Sequence, residues 1–349
     1  MEKFYTEHKG RVINKDNKFS HVMAITLDPR TQYKEGIIRC ITSRDGDIQT
    51  KGYVDRSELH KIKGGSLENF EIGEKLNIKN ETNIISNLTK EGYDFIGLED
   101  PDIWVDEKTN LIHVYFTIPI KPIDKNLEKA KKIKIHLGHA SGKDLDSLEM
   151  TEPVLLDIYE SSAKELSIAP VNKNGVRFNL IESRDRSNET TYSVIRIATT
   201  QDMEKGWEYG DIVFHPKENN LPWIGGHASP GPLFSNNFIN IGEGKLLGVI
   251  NGREANQKKE DGTTKYGMFS IGLFVYDYEN GKIDWVSPEP FIQDSEAITI
   301  TFASQLVETT KGEGILYAHV DDSFVRAYTL KNEEVKQFLI KFNCPFVTP

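Results

Sequence analysis

Five apolar runs recur at near-constant spacing, and this period constrains the fold more than any other feature of the chain. They span 36–44, 111–117, 176–184, 245–251 and 314–322, so their starts lie 75, 65, 69 and 69 residues apart. A turn with Gly, Asn or Lys precedes each run, and polar residues follow. The runs are short and rich in Val, Ile, Tyr, Phe and Thr, which reads as strands. Further short strands flank them, for example at 102–106, 192–198 and 269–276. Three to four strands per unit, five units and few helical patterns describe an all-β fold, a five-bladed β-propeller in one domain over 1–349. The alternative is a coincidence of strand spacing in another large β fold. One stretch departs from the pattern: 126–132 could form a helical turn, and the charges of 121–134 read as a solvated excursion.

The rest of the composition narrows the function. The 349 residues carry 53 acidic and 43 basic side chains, a net charge of −10 with histidines neutral. Nucleic acid and anionic membrane both select basic surface, so neither is an expected partner. No stretch approaches 18 consecutive apolar residues, and the first residues lack the apolar core of a signal peptide. The expectation is a soluble cytoplasmic protein. Two cysteines, Cys40 and Cys344, make neither a disulfide framework nor a metal clip. The phosphate-loop, dinucleotide, zinc-protease and serine-hydrolase signatures are all missing. His136 and His139 are three apart, which on a strand turns them to opposite faces, so they do not read as a metal pair. No metal and no organic cofactor is expected.

In a propeller the innermost strands surround a central channel, and one mouth of it serves as a ligand site. The polar residues flanking those strands therefore carry the argument. They are Arg44 and Asp45, then Glu99, Asp100 and Asp102, then Glu182 and Arg184, then His227, Asn251, Arg253 and Glu254, and finally Asp322. Converging carboxylates and arginines suit sugar hydroxyls and acid–base work at a glycosidic bond. Glu99-Asp100-Pro101-Asp102 is the sharpest group: three carboxylates in four residues repel, which raises at least one pKa. Pro101 also restricts Asp100 to extended backbone. The plainer reading of the same residues is a turn whose carboxylates cap backbone amides. Trp223, in a loop just before His227, is the best candidate to stack on a sugar ring; core packing is the alternative. His319 either lines the channel or sits between blades.

Gly97-Leu98-Glu99-Asp100-Pro101-Asp102-Ile103 resembles the Gly-x-Glu-Asp-Pro-Arg-Ile signature of glycoside hydrolase family 130, the β-mannoside phosphorylases and β-mannosidases. Weaker likenesses follow in order from Ser20 to Arg44, at Lys164, Pro170 and Arg184, over 198–207, over 226–233 and from Tyr317 to Ser323. The resemblance implies a five-bladed propeller and an inverting mechanism. It places Asp100 on the family's proton donor and Arg44 and Asp322 on sugar contacts. Lys164 and Arg184 fall where the phosphorylases hold phosphate.

This sequence also departs from the family. Asp102 replaces the arginine of the signature, and Ile250-Asn251-Gly252 stands in place of Tyr-His-Gly. His227 or Arg253 could take over the missing histidine's phosphate contact. Fewer phosphate ligands and more carboxylates tilt the expectation slightly towards water as nucleophile, with Glu182 or Glu254 as base; phosphorolysis, with inorganic phosphate as co-substrate, stays open. The expected partner is an oligosaccharide, and a homo-oligomer is open too. A catalytically silent binding propeller and a furanoside-cleaving relative are the remaining readings.

Overall fold

A computed structural model describes residues 3–13, 18–50, 52–124, 132–158, 161–186 and 191–347. The proposed turn at 126–132 thus falls almost wholly outside the described residues. The fold is all-β, built from antiparallel meanders, and the five periodic runs are the second strand of each. The first unit comprises His21–Leu27, Glu35–Asp45, Val54–Ser66 and Asn69–Lys75. In the second, Tyr93–Phe95 and Glu99–Val105 both pair with Ile112–Pro122, followed by Lys134–Gly142 and Glu149–Met150. The third holds Lys164–Ser167, Arg177–Asp185, Tyr192–Thr200 and Glu208–Phe214. The fourth holds His227–Leu233, Lys245–Arg253, Phe269–Asp277 and Lys282–Val286, and it joins the third through one parallel bridge, Ser193 to His227. In the fifth, Thr301–Thr310, Glu313–Val320 and Phe324–Lys331 are completed by Thr6–Glu7 from the N-terminal end.

The second strands explain why their runs are continuously apolar instead of alternating. Successive residues of a strand face opposite sides, and here both sides are covered. Ile37 packs between the first and second units, whereas Ile38 packs between the fifth and first. Val114 faces the first unit and Tyr115 the third. Ile181 and Leu180 divide in the same way between the second and fourth units. Val249 packs against the fifth unit and Ile250 against the third. Leu316 turns to the fourth unit and Tyr317 to the first. Each unit is thus held between two others, and one core joins the fifth to the first. The helix Asn332–Lys341 adds Val335, Phe338 and Leu339 to the core between the fourth and fifth units.

The first strand of each unit carries a register shift against the second. It falls between Met23 and Thr26, Glu99 and Asp102, Lys164 and Leu166, Pro230 and Leu233, and Ala303 and Gln305. An extra residue in one strand bends it and re-aims its side chains. In the first three units a residue within the shift is left-handed: Ala24 at φ 50°, Asp100 at φ 46° and Glu165 at φ 50°. Such backbone is costly for residues with a Cβ and collects at functional sites. Asp100 is therefore not extended as its proline neighbour predicts. Proline disfavours only the right-handed helical region there, and the bulge takes the left-handed one. Just upstream, Gly97 bridges to Ser57 so closely that a Cβ would lie 2.2 Å from Ser57 O. Only glycine allows that approach, which fixes the entry of the Glu99-Asp100 segment.

Candidate active site

A cavity of about 340 Å³ opens where the first strands of the units approach one another. Its walls include Arg39, Tyr53, Asp55, Glu99, Asp100, Lys164, Glu165, His227, Arg253, His319 and Asp322. Apolar and aromatic surface comes from Tyr266, Phe269, Ile300 and Phe302. Pockets of this size with a few convergent polar groups suit a small ligand.

The acidic wall is organised by an arginine that the sequence reading passed over. Arg39 donates to Asp100 Oδ1 at 2.8 Å and to Glu99 Oε1 at 2.6 Å. Burial opposes its charge, but Glu99 and Asp100 raise its pKa further still. Burial pushes Glu99 up to about 7, against the pull of Arg39. Next to Asp100 stands Glu165, the bulge residue of the following unit. Burial, and then the neighbouring Asp100, push its carboxyl well above the usual range. The neutral form of Glu165 is thereby favoured, and a protonated carboxyl beside Asp100 can donate to it.

A second carboxylate is held separately. Asp322 accepts from Tyr53 Oη at 2.8 Å and lies 3.2 Å from His319 Nε2. Burial opposes its charge, but His319, Tyr53 and Arg39 hold it down at about 2. Arg44 backs this corner: it grips Asp55 with two bonds of 2.7 Å and donates to Asp322 O at 2.9 Å. His319 thus lines the cavity, stacked on Phe302 with ring centroids 5.0 Å apart.

The basic side has Lys164, His227 and Arg253. Glu182 lies behind the first two, its oxygens 3.4 Å from Lys164 Nζ and 3.0 Å from His227 Nε2. Burial works against its charge, but His227 and Lys164 keep Glu182 well below the usual carboxylate range. Burial lowers the His227 imidazole despite Glu182. Arg253 is different. It is 8% exposed, its Cζ lies 4.4 Å from the Tyr266 ring centroid and 5.4 Å from that of Phe269, and its Nε has no hydrogen-bond partner among the described residues. No carboxylate among the described residues lies within ion-pair distance of it. A buried, unpaired guanidinium on a cavity wall is a receptor for an anion.

The candidates named from sequence divide accordingly. Glu99, Asp100, Lys164, His227, Arg253 and Asp322 line the cavity, with Arg44 and Glu182 directly behind. Trp223 does not: its Nε1 donates to Ser287 O, and its ring fills the space above Gly252 and Gly272 in the core between the third and fourth units. Asn251 is fully buried and bonds the backbone of Ala303, tying the fourth unit to the fifth. Glu254 is exposed and accepts from Met268 N, and Asp45 is exposed at a strand end. Arg184 donates to Ile133 O at 3.2 Å instead of reaching the cavity. Asp102 lies opposite Tyr115, on the face towards the third unit, where burial pushes it up to about 7. Its neighbour Ile103 faces the first unit, because strand neighbours alternate.

Arg39, Tyr53, Asp55 and Glu165 were missed. Arg39 had a signal, since a charge inside Ile37-Ile38-Arg39-Cys40-Ile41 demands a buried partner. Glu165 had none, because its direction depends on the bulge. The cavity holds no cluster of three ligating side chains suited to a metal, among the described residues. His139 instead lies against His113, 3.0 Å between ring nitrogens, and His136 accepts from Asp157 N.

No protein-family model and no curated protein matches the sequence. Solved structures do match. The β-1,2-mannobiose phosphorylase of Listeria innocua, solved with β-1,2-mannobiose, aligns with TM-score 0.64 at 13% identity, over 97% of this chain and 99% of that one. A structure from glycoside hydrolase family 130, described with hydrolases that target β-1,2-mannosidic linkages in Candida mannan, aligns with TM-score 0.65 at 14% identity over 94% of both chains. The fold is that of glycoside hydrolase family 130. A mannose phosphorylase from Leishmania mexicana, solved with phosphate ion, shares this family-130 fold at TM-score 0.52 and 14% identity, over 93% of this chain and 88% of that one. Among the described residues, no helix of this family-130 fold is long and apolar enough to cross a membrane.

Proposed function

We propose that this protein is a glycoside-active enzyme that cleaves β-linked mannosides or similar oligosaccharides, with Asp100 as the group that protonates the leaving oxygen. Its five units form a single five-bladed β-propeller, a reading supported by the five inter-unit cores, the last of which returns to the first unit. The solved relatives are described as mannoside phosphorylases and hydrolases, and the cavity has the parts either reaction needs.

The observation that carries the reading is the division of one cavity into two chemistries. Glu99, Asp100 and Glu165 supply carboxyl groups, while Lys164 and the unpaired Arg253 supply cations. An acid at the leaving oxygen and a nucleophile on the opposite face are the requirements of inverting cleavage. Tyr266, Phe269 and Phe302 offer ring faces for a sugar, a role Trp223 is not placed to play. Asp322, with both oxygens held, is positioned to accept from sugar hydroxyls.

The placement of the two candidate bases supports phosphorolysis over the slight tilt towards water. Glu182 has an oxygen against Lys164 and another against His227, and it is a poor proton acceptor because its charged form is so strongly favoured. Glu254 is exposed and outside the cavity. Arg253 favours an anionic nucleophile, so inorganic phosphate is the proposed co-substrate and no organic cofactor or metal is required. Product analysis on a panel of β-mannosides, with and without phosphate, tests this. Mannose 1-phosphate formed only with phosphate supports phosphorolysis. Free mannose in either case returns the hydrolytic reading, and no product at all favours a carbohydrate-binding propeller.

A further inference from the structure

Asp100 and Glu165 occupy the same slot in successive units. Each is left-handed, each lies at the register shift of a first strand, and each points into the cavity, where their carboxyl groups meet. The first unit has Ala24 in this slot. Two strained residues, repeated by the fold and brought together at one point, are hard to explain by packing. Asp100 also accepts from Arg39, so of the pair Glu165 is the one in a position to donate.

We propose that Asp100 and Glu165 share a single proton, stored on Glu165 and passed through Asp100 to the leaving oxygen. This rests on the reading of the protein as a glycoside-cleaving enzyme with Asp100 as acid. As the bond from the anomeric carbon to the leaving oxygen breaks, its electron pair stays on oxygen, while the one proton moves from Glu165 to Asp100 and from Asp100 to that oxygen. The nucleophile closes the new bond to the anomeric carbon. The pair is then briefly without its proton, with Arg39 and Lys164 facing the two negative groups, and solvent returns a proton after the product leaves. Glu165 is a positioning residue, acting through Asp100.

The groups facing Glu165 are Asp100 from the second unit, Lys164 on its own strand and Glu182 on the strand beside it; Arg39 and Glu99 lie beyond Asp100. Every anion in that set disfavours a second negative charge, which favours the protonated form of Glu165. The proton is lost as pH rises, which sets the basic limb of the rate profile.

Glu165→Gln keeps a donor towards Asp100 and removes the transferable proton. On β-mannobiose, whose leaving group needs a proton, its turnover should fall on the order of 10²–10³-fold. On an aryl β-mannoside with an acidic phenol as leaving group the loss should be within about tenfold. The basic limb for β-mannobiose should move to lower pH. Equal losses on both substrates with an unmoved basic limb would leave Glu165 a structural group and overturn the proposal. The stored proton is also visible without turnover: infrared difference spectra of wild type minus Glu165→Gln at neutral pH should contain a protonated-carboxyl band. Absence of that band overturns the proposal even in an active enzyme. Its presence in a protein that turns over no glycoside supports the shared proton while counting against the enzymatic reading.

Discussion

The Arg39 guanidinium lies 2.8 Å from Asp100, across the boundary between the first and second units. The same group holds Glu99 at 2.6 Å, and only 7% of the Arg39 side chain is exposed. One buried cation therefore organises the acidic wall of the cavity and joins two units. Removing one partner from a buried pair leaves an uncompensated charge, which costs about 3–5 kcal/mol. Arg39→Met should lose stability of that order at neutral pH, read as a drop in the denaturant midpoint, and should lose turnover with it. A change under about 1 kcal/mol would mean that the pair is weak.

Arg253 makes the opposite prediction for stability. Its guanidinium is buried without a carboxylate, so replacing it relieves a desolvated charge. Phosphate should raise the unfolding temperature of the wild type in a concentration-dependent way. Arg253→Gln should largely lose that protection while unfolding at a similar or higher temperature in phosphate-free buffer. Undiminished protection in the variant would move the anion elsewhere.

Acid should destabilise the fold through buried histidines. Burial pushes His136 down to about 4 and His139 down to about 3, from an ordinary 6.5. The unfolded chain then binds more protons than the native one between these values, so stability rises with pH across that window. The contribution is complete above about 6.5 and is lost as pH falls towards 3–4. Urea midpoints should decline across that interval, and His139→Phe should flatten the decline while lowering stability at neutral pH, since His113 and Thr151 lose a partner. An unchanged slope in the variant would exclude His139 as the source.

Trp223 separates packing from recognition. It is 7% exposed and packed over two glycines. Trp223→Ala should cost about 3–5 kcal/mol, as large aromatic truncations in cores do. Under conditions where the variant stays folded, its affinity for mannobiose, measured by calorimetry, should be within a few-fold of wild type. A large and selective loss of affinity would restore it as a sugar-stacking residue.

How much of this was legible in the sequence follows from the range of the interactions. The period of the strands is local information: each second strand is a run of residues buried on both faces, and five such runs at similar spacing define five units. Asp100, Asp322 and His227 flank those strands and are legible that way, whereas Lys164 is reached only through the family resemblance. Arg39 was hidden inside an apolar run because its partners lie 60 and 61 positions away in the next unit. Glu165 depends on a bulge, and a one-residue shift turns a side chain to the other face of a sheet. Asn251 and Trp223 read as site residues because polar or aromatic type near a turn does not distinguish a ligand contact from a tie between units.

The central claim is that Asp100 protonates a leaving oxygen in this cavity, and Asp100→Asn tests it most directly. The measurement is the rate of mannose or mannose 1-phosphate release from β-1,2-mannobiose, beside a calorimetric titration with the same sugar. Turnover should be lower on the order of 10²–10⁴-fold, with affinity largely kept. Release at the wild-type rate by Asp100→Asn would contradict it.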